Sequence, residues 1–89
     1  MNRRSRMEIY VDIMMSLVEG PKSPTRLMYA TNLSWTPLQE CLSYLMNQGL
    51  VQEVKQSLNR RAYVLTEKGK HVVSEYAGLM RELSQGLLS

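Results

Sequence analysis

The stretch from Arg26 to Val51, RLMYATNLSWTPLQECLSYLMNQGLV, restricts the possible folds more than any other part of the chain. Apolar residues recur at spacings of three and four on both sides of Asn32, which is typical of helices that each bury one face. Asn tolerates the left-handed backbone of a tight turn, and Gly49 is a typical residue just past the end of a helix. The pattern predicts two short helices joined by a brief turn, a helix-turn-helix.

Residues that begin or end helices mark the other elements. Ser5 with Glu8 forms a capping box, and Ser23 followed by Pro24 combines an N-cap with a first-turn proline. The predicted helices run over about Ser5 to Glu19, Pro24 to Thr31, Ser34 to Gln48 and, after Thr66, Glu67 to Leu83. The start of the third helix is open, because Thr36 followed by Pro37 is as good an N-cap signal as Ser34.

Two stretches rich in β-branched and aromatic residues, LVQEVKQ and RAYVLT, lie between the third and last helices. They predict a two-stranded hairpin with its loop at about Ser57 to Arg60. We therefore predict a mainly α (α+β) winged helix-turn-helix, in the order helix-helix-helix-β-hairpin-helix. Residues 1–66 would form the helix-turn-helix core, and residues 67–89 a C-terminal dimerisation helix of the same single domain.

Composition narrows the functional class. The net charge is +3 and the pI about 9.2, a mild basic bias that is compatible with nucleic acid. The single Cys41 allows no internal disulfide, and with the lone His71 it cannot assemble a metal site. We find no catalytic residue set, signal peptide or membrane-spanning run, so we expect a cytoplasmic protein that is not an enzyme and needs no cofactor.

Four stretches carry a resemblance to a known family: RSRMEIYVDIM, TRLMYATNLSW, CLSYLMNQGLV and AYVLTEKGK. In this order they resemble the small archaeal winged-helix family that includes the ArnR-type regulators and a ten-kilodalton chromatin-associated dimer. The resemblance implies a DNA-binding protein that dimerises through its C-terminal helix. Two features depart from it: Pro24 stands where many relatives have Lys, and Thr36-Pro37 opens the third helix unusually.

The chain has no Lys or Arg between Arg26 and Lys55, so the predicted reading helix carries no positive charge. Cations beside a groove can hold phosphates while neutral side chains read base edges. The predicted base contacts are Thr36, Gln39, Glu40 and Ser43. The predicted phosphate and wing contacts are Arg3, Arg4, Arg6, Lys22, Arg26, Lys55, Asn59, Arg60 and Arg61, with Arg60 the choice for the minor groove.

Less specific interpretations compete with these assignments. Arg3, Arg4 and Arg6 could form a solvated terminus, and the Gln39, Glu40 and Ser43 set could be an ordinary polar face. Trp35 is expected to pack against the first helix rather than contact bases.

An apolar stripe follows the last helix with alternating spacings of three and four, as in a short coiled coil. Its members are Val73, Tyr76, Met80, Leu83 and Leu87, and the predicted dimer interface consists of these residues and the neighbouring Leu79. Pairing with a second copy would cover the stripe, which predicts a homodimer. We therefore expect a homodimeric, nucleoid-associated protein that binds double-stranded DNA, most simply a transcriptional regulator. The alternatives are a winged-helix protein-protein interaction module and a DNA-organising chromatin-type protein.

Overall fold

The computed structural model of the chain describes residues 4–88, so the predicted phosphate contact Arg3 lies outside the described residues. Four helices and one hairpin follow one another in the predicted order. Their bounds are α1 Arg6–Ser16, α2 Pro24–Thr31, α3 Trp35–Asn47, β1 Val51–Ser57, β2 Arg60–Leu65 and α4 Glu67–Leu88. The winged helix-turn-helix prediction is confirmed.

Most of the predicted helix boundaries have the expected local chemistry. The Ser5 and Ser23 hydroxyls accept hydrogen bonds from the backbone N–H groups three residues on, at 3.1 and 3.2 Å. Asn32 has a φ of 57° and Gly49 one of 74°, so both adopt the left-handed conformation that the turns require. Ser34 is the N-cap of α3, although its side chain makes no capping bond. The alternative start at Thr36 is therefore wrong.

Two boundaries differ from the prediction. Helix α1 ends at Ser16 instead of Glu19, and Leu17 follows it as a C-cap residue that is almost fully buried. The chain turns there because Leu17 packs into the core, so Gly20 and Pro21 come after the stop. Helix α4 continues through Gly86 to Leu88, beyond the predicted end at Leu83.

The hydrophobic core lies between the first three helices and the inner half of the hairpin. It consists of Ile13, Met14, Leu17, Leu27, Leu38, Cys41, Leu42, Leu45, Val51, Tyr63 and Leu65. Burial of Leu38, Leu42 and Leu45 fixes which face of α3 points outward, since residues three and four apart share one helix face.

Strands β1 and β2 pair antiparallel, with Val51 opposite Leu65 and Lys55 opposite Arg61. The loop before α2 joins this sheet, because Lys22 exchanges two backbone hydrogen bonds with Tyr63, at 3.1 and 2.9 Å. These bonds hold the start of α2 beside the hairpin. The wing and the helix-turn-helix are thus directly connected.

Helix α4 is anchored at its first turn to the turn after α3. The Thr66 hydroxyl donates to the Gly49 carbonyl at 2.6 Å and accepts from the Gly69 N–H at 3.0 Å. The Thr66 N–H donates to the Leu50 carbonyl, and the Lys68 ammonium to the Gln48 carbonyl. The next turns of α4 pack against α1 and β2, and the remainder of the helix projects beyond them.

Candidate nucleic-acid interface

One face of α3 is free of the core and carries all four predicted base contacts. Thr36, Gln39, Glu40 and Ser43 are exposed there, and so are Trp35, Tyr44 and Asn47. The structure therefore brings the predicted reading residues together on an open, uncharged or acidic surface.

The predicted burial of Trp35 is wrong, because the residue is 40% exposed and absent from the core. Trp35 is the first residue of α3 and lies one turn before Leu38, the first α3 residue that is fully buried. The core does not reach that far along the helix. An aromatic ring consequently stands at the turn of the helix-turn-helix.

A polar groove runs between the start of α2 and the tip of the hairpin. Its volume is about 570 Å³, and its lining is Pro21, Ser23, Pro24, Arg26, Gln56, Asn59, Arg60 and Arg61. Arg26 and Arg60 form no ion pair with any described residue, and Arg61 lies only loosely against Glu53, at 3.7 Å. Three arginines from two separate elements therefore converge on one groove, which we call the arginine groove.

Lys55 lies on β1 and pairs with Arg61 of β2 in the register, so the two side chains share one face of the hairpin. Within residues 4–88 Lys55 has no ion-pair partner. It lines a shallow depression together with the tip residues Ser57, Leu58 and Asn59 and with the two wing arginines. The wing thus presents cations from both of its strands.

Two of the predicted phosphate contacts, Arg4 and Lys22, bond to other groups of the domain instead. The Arg4 guanidinium donates to Asp12 Oδ2 at 2.6 Å and to the backbone carbonyl of Thr31, so it caps the C-terminal end of α2. Lys22 bonds to Glu19 at 3.1 Å with its side chain only 15% exposed. Both cations therefore have structural roles within the domain.

Arg6 lies beside α3. Its Nη1 donates to the Cys41 sulfur at 3.8 Å, and this bond, with Tyr10 and Glu40 nearby, raises the pKa of the guanidinium. The side chain remains open to solvent, so a fixed positive charge borders the outward face of α3 next to Glu40.

Leu58 is a feature that sequence analysis missed. It occupies the hairpin tip and is 96% exposed, although the surrounding segment SLNR reads as a polar loop. The signal was present in the sequence, because a leucine at the tip of a hairpin is unusual.

The predicted dimer stripe divides into two parts. Val73 is half-buried and packs on the protein's own core. Tyr76, Leu79, Met80, Leu83 and Leu87 are exposed along the projecting part of α4. An apolar cavity of about 690 Å³ opens beside the base of this stripe, between the end of α1, β2 and α4, and includes Met15, Val18, Val73 and Ala77 in its lining.

Two other kinds of site are absent from the described part of the chain. Residues 4–88 contain no group of three or more potential metal-ligating side chains. None of their helices has both the length and the apolar character that crossing a bilayer demands.

A helix-turn-helix followed by a hairpin that lies beside it defines the class of winged-helix proteins. Residues 3–84 match the model of the winged helix-turn-helix family. The chain is also similar to the uncharacterized protein MJ0287 of Methanocaldococcus jannaschii, with 32% identity over 72 residues that cover 81% of this chain and 69% of the relative. The chain therefore belongs to the winged helix-turn-helix family.

Solved structures share the fold at low sequence identity. The MepR transcription regulator of Staphylococcus aureus superposes with a TM-score of 0.84 at 16% identity, covering 90% of this chain and 62% of that one. The adhesin competence repressor of Streptococcus pyogenes gives 0.76 at 22%, covering 89% and 59%. The regulator BldR of Sulfolobus solfataricus gives 0.77 at 22%, covering 90% and 59%. The chain thus spans about three fifths of the length of these proteins.

Proposed function

We propose that the protein binds double-stranded DNA in a sequence-dependent manner and acts as a transcriptional regulator. Helix α3 would enter the major groove and the hairpin would lie on the minor groove. The observation that carries this proposal is the arginine groove, in which Arg26 of α2 and Arg60 of the wing meet without an acidic partner among the described residues.

The division of charge fits the chemistry of DNA. Phosphates are held by cations at the groove edges, and here Arg26, Arg60 and Lys55 supply them. Base edges are read by hydrogen bonds, and an amide such as that of Gln39 can bond adenine through two contacts, while Glu40 can accept from cytosine. The outward face of α3, which carries no Lys or Arg, is therefore suited to reading bases between cationic flanks.

The comparisons support this proposal. The neighbours in fold are described as a repressor, a transcription regulator and a transcriptional regulator. We extend the proposal to the archaeal ArnR-like branch of the family, on the motifs in the helix-turn-helix and at the start of α4. The relative MJ0287 comes from an archaeon, which supports the archaeal part of that extension.

We also propose that the active form is a homodimer. The exposed stripe on α4 continues into the apolar cavity at its base, so one helix leaves a long apolar surface in water. A single soluble domain seldom exposes such a surface, and a two-fold axis lets two copies cover each other. A dimer would present two α3 helices to two half-sites on one duplex.

The test is a binding titration with duplex DNA at several salt concentrations. Each phosphate neutralised should contribute about −0.9 to the slope of log K against log salt. Replacing Arg26 or Arg60 with Ala should reduce the magnitude of that slope by about one unit each. Arg81→Ala is the matched control, because it removes the same charge from α4, far from the arginine groove.

Binding that is absent, or that does not depend on salt, would refute the proposal. Equal slopes for Arg26→Ala and Arg81→Ala would instead refute the docking geometry. Competition between a promoter fragment and bulk DNA then separates a regulator from a DNA-organising, nucleoid-associated protein, because only the regulator should prefer the promoter.

One observation favours a second candidate, a module that binds another protein. The aromatic side chains of Tyr29 and Trp35 are exposed around the turn of the helix-turn-helix, Tyr29 to 84%. Aromatic residues are enriched in protein interfaces. This candidate predicts no salt-dependent binding to duplex DNA, so the same titration distinguishes it from the regulator.

A further inference from the structure

Leu58 stands at the point of the wing that is farthest along the hairpin from the core. Strands β1 and β2 are joined by Leu58 and Asn59 alone, and all residues from Lys55 to Arg61 are exposed. The leucine side chain is 96% exposed and belongs to no apolar cluster of the described residues. Core packing therefore gives no reason for a leucine at this position.

The turn itself does not require a leucine either. Two-residue hairpin loops favour Asn and Gly with positive φ angles, yet neither Leu58 nor Asn59 is among the described residues with positive φ. An irregularity in the register between Lys55 and Ser57 supplies the local twist instead. A polar residue would fit this turn at least as well.

The surroundings of Leu58 are cationic, which indicates the kind of partner that this side chain suits. Lys55, Asn59, Arg60 and Arg61 line the same depression at the tip, and within residues 4–88 Lys55 and Arg60 are free of ion pairs. A protruding apolar side chain flanked by free cations is chemically matched to the minor groove. Arginine is drawn to the negative potential there, and leucine is one of the side chains that insert between base steps.

We propose that Leu58 is an apolar wedge that enters the minor groove, partly unstacks one base step and bends the DNA toward the major groove. This proposal rests on the proposed DNA-binding function and adds to it a residue, a mode of contact and a deformation. The preferred step is a flexible pyrimidine–purine step such as TA, which costs least to unstack. Arg60 and Asn59 hold the wing in place while Leu58 deforms the duplex.

The experiment measures bending by energy transfer between dyes at the two ends of a duplex of about 30 base pairs, a length that bends measurably by such kinks. Saturating wild-type protein and the Leu58→Met variant should both raise the transfer efficiency. The Leu58→Ala variant should leave the duplex straight and bind about tenfold more weakly, because less apolar surface is buried. Its salt slope should equal that of the wild type, since no charge is removed.

Two controls separate the wedge from other effects. The midpoint of thermal unfolding of Leu58→Ala should match the wild type, because the native side chain contacts no core residue. Arg60→Ala should show the opposite pattern. Its salt slope should differ from that of the wild type, while the bound duplex should still bend. If the wild-type complex is straight, or if Leu58→Ala bends DNA equally, the wedge is wrong and the DNA-binding function stands. If the wild type binds no duplex, both proposals fall.

Discussion

The backbone of Gly69 lies so close to the carbonyl group of Leu50 that a Cβ atom on Gly69 would overlap the carbonyl oxygen. The same Cβ would stand 3.1 Å from the carbonyl carbon of Leu50 and from Cδ2 of Leu65. The Leu50 oxygen also accepts the hydrogen bond from the Thr66 N–H. The absence of a side chain at Gly69 thus allows α4 to start against the turn that ends α3.

Replacing Gly69 with Ala should lower the free energy of unfolding by about 1–3 kcal/mol, because backbone atoms must move to admit the methyl group. Gly78→Ala is the matched control within the same helix, where nothing lies within 4 Å of an added Cβ. It should raise stability by up to about 1 kcal/mol through helix propensity. Urea unfolding at one fixed protein concentration measures both. Equal stability of the two variants would show that α4 does not dock as described.

Arg4→Ala should affect stability and leave DNA binding almost unchanged. The guanidinium joins Asp12 to the end of α2, but it is partly exposed, so the loss should be about 1 kcal/mol or less. The salt slope of DNA binding should remain at the wild-type value, in contrast to Arg26→Ala. A shallower slope for Arg4→Ala would show that Arg4 contacts phosphate after all.

Gln39→Ala should change the base preferred at one position of the binding site. One amide that bonds adenine through two contacts accounts for about 1–3 kcal/mol of discrimination. Selection from a randomised duplex library, followed by binding measurements on single-base variants, gives the change. Asn47→Ala is the control, since Asn47 is exposed on the same helix but lies two turns farther from its start. Identical preferences for wild type and Gln39→Ala would place the reading residues elsewhere.

Tyr63 should make stability depend on pH at the alkaline end. Burial raises the pKa of its phenol, and so does its hydrogen bond to Glu53 Oε2 at 3.0 Å. A pKa raised on folding means that its contribution is fully present below the unfolded value of about 10 and is lost as pH rises through the folded value. Urea unfolding from pH 8 upward should therefore show a smaller difference between wild type and Tyr63→Phe above about pH 10. A difference that stays constant across this range would contradict the assignment.

Leu83→Glu should convert the proposed dimer to a monomer. Two such charges would face each other, or an apolar partner surface, at the centre of the proposed pairing of α4 helices. Sedimentation equilibrium should give the mass of one chain for this variant and twice that mass for Gln85→Glu. Gln85 is exposed on α4 but lies outside the apolar stripe, so Gln85→Glu adds the same charge without disturbing the proposed dimer interface. A wild-type protein that is already monomeric would remove the basis for the pairing.

The features of the fold that could be predicted are those that short sequence patterns encode. The N-caps Ser5 and Ser23 and the left-handed turn residues Asn32 and Gly49 were predictable. Capping and left-handed turns depend on residues only a few positions apart. Helix α1 ended early because Leu17 is taken into the core, a tertiary contact with no local signature.

The parts of the site that could not be predicted depend on contacts between distant residues. No residue near Arg4 in the sequence predicts its hydrogen bond to the Thr31 carbonyl, which is 27 positions away. The backbone pairing of Lys22 with Tyr63 and the meeting of Arg26 with Arg60 likewise arise only when the hairpin folds back on α2. The basic residues could be counted from the sequence, but their division into structural and free cations required the fold.

The two backbone hydrogen bonds between Lys22 and Tyr63 set the distance between α2 and the wing, and so the width of the arginine groove, before any ligand binds. A flexible hairpin would lose conformational entropy each time it bound DNA, and this loss would weaken the binding. Here the loss is incurred once, during folding, so Arg26 and Arg60 would meet the proposed duplex partner at a fixed separation. Sequences whose minor groove is already of matching width should then be preferred even at positions that no side chain touches.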